Sequence, residues 1–121
     1  MIIRKATESD IQSIYNIATQ EGWKTFSIAK ITQLLSKSHM IVIEIDDEII
    51  GYTRYLTDEI VTLYIAEIVI LNNHRNNGYA KELIQYLQDL YPSTRIELLS
   101  ENNAFYEKMK FRNIGTGYRL P

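Results

Sequence analysis

The chain has 121 residues, 45% hydrophobic and 23% charged, with a formal net charge of -2. That length supports one domain spanning residues 1–121 with a modest core, and the composition argues against a disordered tail or a general nucleic-acid binder. It contains no cysteine, which excludes disulfides, a cysteine nucleophile and any metal site built on thiolates.

Ile2 and Ile3 begin an N-terminal strand. Thr7 is a candidate N-cap and Asp10 the acidic partner of a capping box, ahead of a helix with Ile11, Ile14, Tyr15 and Ala18 on one face and Gly22 at its end. Ser27 caps a second helix with Ile28, Ile31, Leu34 and Leu35 on its apolar side. Met40 to Ile45 then reads as a strand, Asp46 and Asp47 as a turn, and Ile49 to Tyr55 as the returning strand of a hairpin. The β-branched run from Val61 to Ile70 predicts a central strand.

Asn72 and Asn73 interrupt this run. Tyr79, Ala80, Leu83, Ile84, Leu87 and Leu90 follow with helical spacing, and Pro92 ends that helix. Ile96, Leu98 and Leu99 suggest another strand, and Ser100 a cap for a helix carrying Asn102, Asn103, Tyr106 and Met109. Phe111 to Leu120 reads as a final strand or hairpin closing the sheet. The order of elements predicts a mixed α/β fold, with a mainly antiparallel central sheet flanked by helices.

The chemistry concentrates between the central strand and the helix after it, where Arg75-Asn76-Asn77-Gly78-Tyr79-Ala80 has the form Arg-x-x-Gly-x-Ala. Gly78 permits close backbone approach, and the free amides of the next helical turn suit an anionic diphosphate. Read locally, the segment is either such a cradle or an ordinary glycine turn. His39 and His74 lie far apart in sequence and read as structural or surface residues, so no metal site is expected.

This segment resembles the coenzyme A signature of the GNAT superfamily of N-acetyltransferases, an Arg/Gln-x-x-Gly-x-Gly/Ala loop. The resemblance extends to Ala66-Glu67-Ile68-Val69-Ile70 as the central strand and to Asn103-Ala104-Phe105-Tyr106-Glu107-Lys108-Met109-Lys110-Phe111 as a form of the late Asn-Ala-x-Tyr-Glu-Lys-x-Gly-Phe helix. Two positions depart from the pattern: Lys110 stands where the family has glycine, and the usual proline after the central strand is absent, with Asn72 in that neighbourhood.

The resemblance implies a GNAT-like fold and transfer of an acetyl group from acetyl-CoA to an amine, releasing CoA. It implies that the Ile68 and Ile70 backbones hold the pantetheine arm, that Arg75, Asn76, Asn77, Gly78, Tyr79 and Ala80 cradle the pyrophosphate, and that Asn102 or Asn103 contacts the arm. Helix capping is the competing role for either asparagine. It further implies that Tyr106 donates a proton to the departing thiolate and that Glu67 receives the amine proton. Packing is the competing role for Tyr106, and polar-network organisation for Glu67.

Trp23, Phe26, Tyr52, Tyr55 and Tyr64 are candidates for an apolar acceptor wall, with Arg54, Asp58 and Glu59 selecting polar substituents. A small-molecule or amino-acid amine is the first expected acceptor, and a peptide or protein amine the second. A noncatalytic CoA-binding or protein-interaction domain is the alternative. Neither a charged leader before an apolar run nor a membrane-length apolar segment is visible, so a cytoplasmic location with no membrane or nucleic-acid partner is expected. A homodimer is compatible with exposed strands.

Overall fold

The computed structural model describes residues 1–121. Five strands form one sheet in sequence order: β1 (Ile2–Lys5), β2 (His39–Ile45), β3 (Glu48–Thr57), β4 (Thr62–Ile70) and β5 (Arg95–Leu98). β1 to β4 make an antiparallel meander, and β5 joins β4 in parallel. That parallel step requires a crossover, supplied by α3 (Tyr79–Leu90). The other helices are α1 (Ile11–Gln20), α2 (Ile28–Lys37) and α4 (Asn103–Lys108), with short 3-10 turns over Glu8–Asp10 and Asn72–His74.

Two apolar layers cover the sheet. On one face, α1 and α2 bury Ile14, Ile17 and Ile31 against Met40, Val42, Tyr52 and Val69. On the other, α3 buries Leu83, Ile84 and Leu87 against Ile41, Ile43, Ile50, Tyr55, Leu63, Ile65 and Ile70. Each helix presents apolar residues three or four apart, which is why one stripe of each goes inside.

The local stops have identifiable causes. α1 ends with Gly22 at φ 84, the Gly22 N–H reaching Thr19 O and the Trp23 N–H reaching Ala18 O, so the last carbonyls are satisfied by a left-handed glycine. Ser27 caps α2 by accepting from the Lys30 N–H. Asp46 and Asp47 both take positive φ, 50 and 65, so the β2–β3 hairpin closes through a two-residue type I′ turn. Between β3 and β4, the Asp58 carboxylate accepts from the Ile60, Val61 and Thr62 N–H groups. Asp58 therefore organises its own loop.

Two sequence expectations are corrected. The cap of α4 is Asn102, whose side chain accepts from the Phe105 N–H, while Ser100 accepts from the Asn102 N–H one step earlier. The segment from Phe111 to Leu120 forms no strand and does not close the sheet. After Phe111 it makes no backbone–backbone hydrogen bond, and alternating side chains cannot hold a strand without a neighbouring ladder.

Candidate active site

The site begins with a change of parity in β4. Arg54 pairs with Glu67 and the next residue, Tyr55, pairs with Ile65, leaving Ala66 as an extra residue in β4. This β-bulge shifts the alternation by one: Leu63 and Ile65 face the α3 layer before it, and Ile68 and Ile70 face that layer after it. Glu67 and Val69 are thereby turned toward the α1–α2 layer.

The bulge also opens the sheet. β5 pairs with β4 only from Thr62 to Ile65, so Glu67–Ile70 has a strand neighbour on the β3 side alone. The Leu71 N–H bonds Ile50 O on β3, and alternation then directs the backbone groups of Ile68 and Ile70 into the open side. The structure thus brings the two predicted arm-binding backbones together on a strand edge with no strand neighbour, where Ile70 O accepts from the Arg75 side chain and the Ile70 N–H has no strand partner.

That edge leads directly to the predicted anion cradle. Asn76 and Gly78 adopt left-handed φ of 65 and 80, turning the chain sharply into α3. The first helical bond runs from the Glu82 N–H to Gly78 O, and no side chain caps the helix, so the amides of Tyr79, Ala80 and Lys81 remain unpaired. A Cβ built on Gly78 would meet nothing within 4 Å, so the space above the turn is open. Asn77 braces the loop by donating to His74 O and Arg75 O, whereas Asn76 is exposed. Tyr79 and Ala80 are half-buried, with their side chains packed against the core.

Arg75 holds the junction. Its Nε donates to Ile70 O at 2.8 Å and its terminal nitrogen to Glu21 Oε2 at 2.5 Å, tying the end of β4 to the end of α1. The Asn72 N–H is similarly anchored on Gln20 Oε1. Sequence reasoning missed Gln20 and Glu21, because nothing local links a helix end to a loop more than fifty residues away.

Glu67 and Arg54 form the most enclosed ion pair here. The Arg54 Nε and terminal nitrogen donate to the two Glu67 carboxylate oxygens at 2.6 and 2.5 Å, with side chains only 16% and 10% exposed. The hydrogen bond to Glu67 holds the guanidinium pKa above its ordinary value. Tyr52, beside them, is 1% exposed, and burial, followed by the negative charge of Glu67, pushes its phenol upward. Trp23 and Phe26 meet edge to face at 5.9 Å and pack on the same layer as Tyr52.

Tyr55 does not join that wall, which corrects the expected grouping. It lies on the opposite face of the sheet in the α3 layer, with its hydroxyl 3.1 Å from that of Tyr91 and its ring stacked on His39. Its odd separation from Tyr52 is the sequence signal for opposite faces. Tyr64 lies farther along β4, beside an open cavity of about 530 Å³ that also takes in Lys37, His39, Leu56 and Asp58. This cavity sits at the β3–β4 hairpin end, away from the Ile68–Ile70 edge.

On α4, the Asn102 side chain is occupied as the cap, and Asn103 is exposed with its side chain unbonded. Tyr106 is half-buried, packed edge to face against Phe105 and Phe111, and its hydroxyl bonds no other group of the chain. Burial raises its pKa, keeping the phenol protonated at neutral pH. Lys110, the departure from glycine, takes φ 73 at the end of α4, so the left-handed turn forms without glycine. No three metal-ligating side chains converge, and no helix is long and apolar enough to cross a membrane.

Comparison with known proteins supplies an independent reading. The family model described as acetyltransferase (GNAT) domain matches residues 36–113. Among solved structures, a GNAT family acetyltransferase from Streptococcus pneumoniae is 18% identical with a TM-score of 0.82, over 99% of this chain and 96% of that one. An acetyltransferase from Trypanosoma brucei is 22% identical with a TM-score of 0.78, over 99% and 98%. The PaiA N-acetyltransferase from Thermoplasma acidophilum, in complex with coenzyme A, is 12% identical with a TM-score of 0.73, over 90% and 86%. No curated protein matches the sequence.

Proposed function

The chain belongs to the GNAT acetyltransferase family, and from that premise we propose that it transfers the acetyl group of acetyl-CoA to the amine of a small molecule or amino acid. The observation that carries this reading is the continuity of the free β4 edge at Ile68–Ile70 with the uncapped amides at the start of α3. An extended amide-bearing arm pairs with the first as a strand would, and a diphosphate suits the second. The coenzyme A complex of the Thermoplasma relative supports the same ligand class.

The residues divide the work as follows. The Ile68 and Ile70 backbones align the arm, the Tyr79, Ala80 and Lys81 amides receive the diphosphate, and Asn103 is free to contact the arm. The neutral acceptor amine attacks the thioester carbonyl carbon, forming the C–N bond. A β4 amide just past the bulge stabilises the negative charge that develops on the carbonyl oxygen. The C–S bond then breaks, and Tyr106 gives its proton to the departing thiolate. The proton lost by the amine passes to Glu67, directly or through water.

Both Glu67 oxygens accept from Arg54, an arrangement that also fits a purely structural carboxylate in a domain that binds CoA without turnover. One assay series separates the readings. Acetyl-CoA binding is measured directly, then CoA release and product mass are followed across a panel of amines. Turnover with Tyr106→Phe impaired in kcat but not in binding supports the enzyme. Binding without CoA release from any amine supports the noncatalytic domain, and no binding rejects both.

A further inference from the structure

The Arg54–Glu67 pair keeps unused bonding capacity at both of its charged ends. The guanidinium spends Nε and one terminal nitrogen on Glu67, while its other terminal nitrogen, Nη1, bonds nothing in the chain. No buried side-chain nitrogen or oxygen of the protein lacks a partner, so Nη1 reaches solvent. Each Glu67 carboxylate oxygen accepts one hydrogen bond and has a second lone pair to offer. The pair therefore presents a cation on β3 beside an anion on β4.

The face that carries the pair continues into the open cavity. Tyr52, Arg54 and Leu56 share one face of β3 by alternation, and Val69, Glu67 and Tyr64 stand opposite them in the ladder. Leu56 and Tyr64 are thus the next row, about 7 Å along the strands from Arg54 and Glu67. That row lines the cavity of about 530 Å³ together with Ser36, Lys37, Ser38 and Thr62. Hydroxyls dominate this lining. Lys37 has no carboxylate partner, and Asp58 spends one carboxylate oxygen on three loop amides.

A free α-amino acid matches both features. Its ammonium and carboxylate are separated by one carbon, so they can lie against an ion pair with each charge facing its opposite. A guanidinium receives a carboxylate through directed N–H groups, which a second terminal nitrogen supplies here. An amine with no carboxylate would bring a positive charge beside Arg54 and leave Nη1 to water.

We propose that the acceptor is a free α-amino acid with a polar side chain, its carboxylate on Arg54 Nη1, its nitrogen facing Glu67 and its side chain in the cavity between the end of α2 and the β3–β4 hairpin. The proposal rests on the acetyl-transfer reading above and narrows it. Arg54 becomes the residue that sets specificity, selecting against polyamines and against lysine side chains of proteins, whose amines have no carboxylate on the adjacent carbon.

The test uses the full chain with L-serine and L-glutamine, each beside its α-carboxamide and its decarboxylated counterpart, ethanolamine or 4-aminobutanamide. CoA release gives kcat/KM, and calorimetry on protein saturated with CoA gives Kd without turnover. The amino acids are expected to exceed both counterparts by at least about tenfold in either measure. Arg54→Lys keeps a counter-charge for Glu67 but loses the fork, and narrows that ratio to about twofold. Leu56→Trp, at a position 45% exposed, fills the cavity and weakens L-glutamine by at least about fivefold while glycine is unaffected. Equal values for amino acids and counterparts in the wild type overturn the proposal, whatever the stability of the variants. A loss in Arg54→Lys shared alike by both classes overturns it too, and L-glutamine indifferent to Leu56→Trp overturns the cavity placement. Amino acids that bind the CoA complex through Arg54 without any CoA release would reject acetyl transfer and retain the recognition. Neither binding nor release of CoA with any amino acid, while other amines turn over, would do the reverse.

Discussion

Arg54 reaches across β3 to β4 and holds both carboxylate oxygens of Glu67 at the bulge, at 2.6 and 2.5 Å. With Glu67 only 10% exposed, removal of the guanidinium leaves a carboxylate with little water and no counter-charge. Arg54→Met should therefore lower stability by about 2 kcal/mol, measured by urea unfolding. If Glu67 takes the amine proton, Glu67→Gln lowers kcat without loss of CoA binding. Unchanged kcat in Glu67→Gln assigns Glu67 to structure alone.

Asp10 carries a pH dependence of stability. Its carboxylate accepts from both terminal nitrogens of Arg4 at 2.7 and 2.9 Å and from the Thr7 N–H at 2.8 Å, and the Arg4 hydrogen bonds are the main cause of its lowered pKa. A carboxyl pKa lower in the folded chain than in the unfolded one contributes stability above the unfolded value, lost as pH falls through the folded value. Asp10→Asn should cost about 1 to 2 kcal/mol at neutral pH, allowing for the partial exposure of Arg4. It should also flatten the loss of stability on acidification below about pH 4, so that wild type and variant converge there in thermal melts.

Lys110 occupies a left-handed position, φ 73, with an L side chain. Lys110→Gly should raise stability by about 1 kcal/mol, because glycine relieves the steric cost at positive φ by more than it adds unfolded-state entropy. The measurement is a shift in the urea midpoint at constant slope. Lower stability would show that the Lys110 stem contributes packing that outweighs the backbone strain.

The order of elements was legible because each helix keeps its apolar spacing and each strand its short β-branched run. What the residues alone did not reveal depends on register. The Arg54–Glu67 pair follows from Ala66 being looped out, and no feature of the β4 sequence marks that residue as the extra one. The Arg75 link to Glu21 joins segments whose approach is set by how α1 crosses the sheet. Tyr55 was misplaced although strict alternation from Tyr52 assigns it to the other face. The final strand or hairpin expected over Phe111 to Leu120 does not form, because a strand also needs an adjacent edge, which a short local sequence does not supply.

Gly51 lies opposite Ile70 in the β3–β4 ladder, where there is no room for a side chain. A Cβ there would lie 2.5 Å from Ile70 Cδ1 and 2.8 Å from Val69 O, and the second contact is with backbone that cannot rotate aside. Gly51→Ala should cost about 1 to 3 kcal/mol. By displacing Val69 and Ile70 it should also weaken CoA binding, read by calorimetry on the folded fraction. A stability loss with unchanged affinity would separate the packing of β4 from the alignment of its free edge.

Arg75 tests whether the cradle depends on charge or on position. Its Nε holds Ile70 O while its terminal nitrogen holds Glu21, so one planar group spans two elements. A lysine ammonium carries the same charge but cannot reproduce two directed bonds from separate nitrogens. If position dominates, Arg75→Lys and Arg75→Met weaken CoA binding alike, by about tenfold or 1.4 kcal/mol. In that case Glu21→Gln, which neutralises the partner while keeping its carbonyl acceptor, has a smaller effect that disappears in the Arg75→Met background. If the lysine variant binds CoA as tightly as wild type while the methionine variant does not, the guanidinium acts through its charge on the diphosphate, and the bracing of Ile70 is incidental.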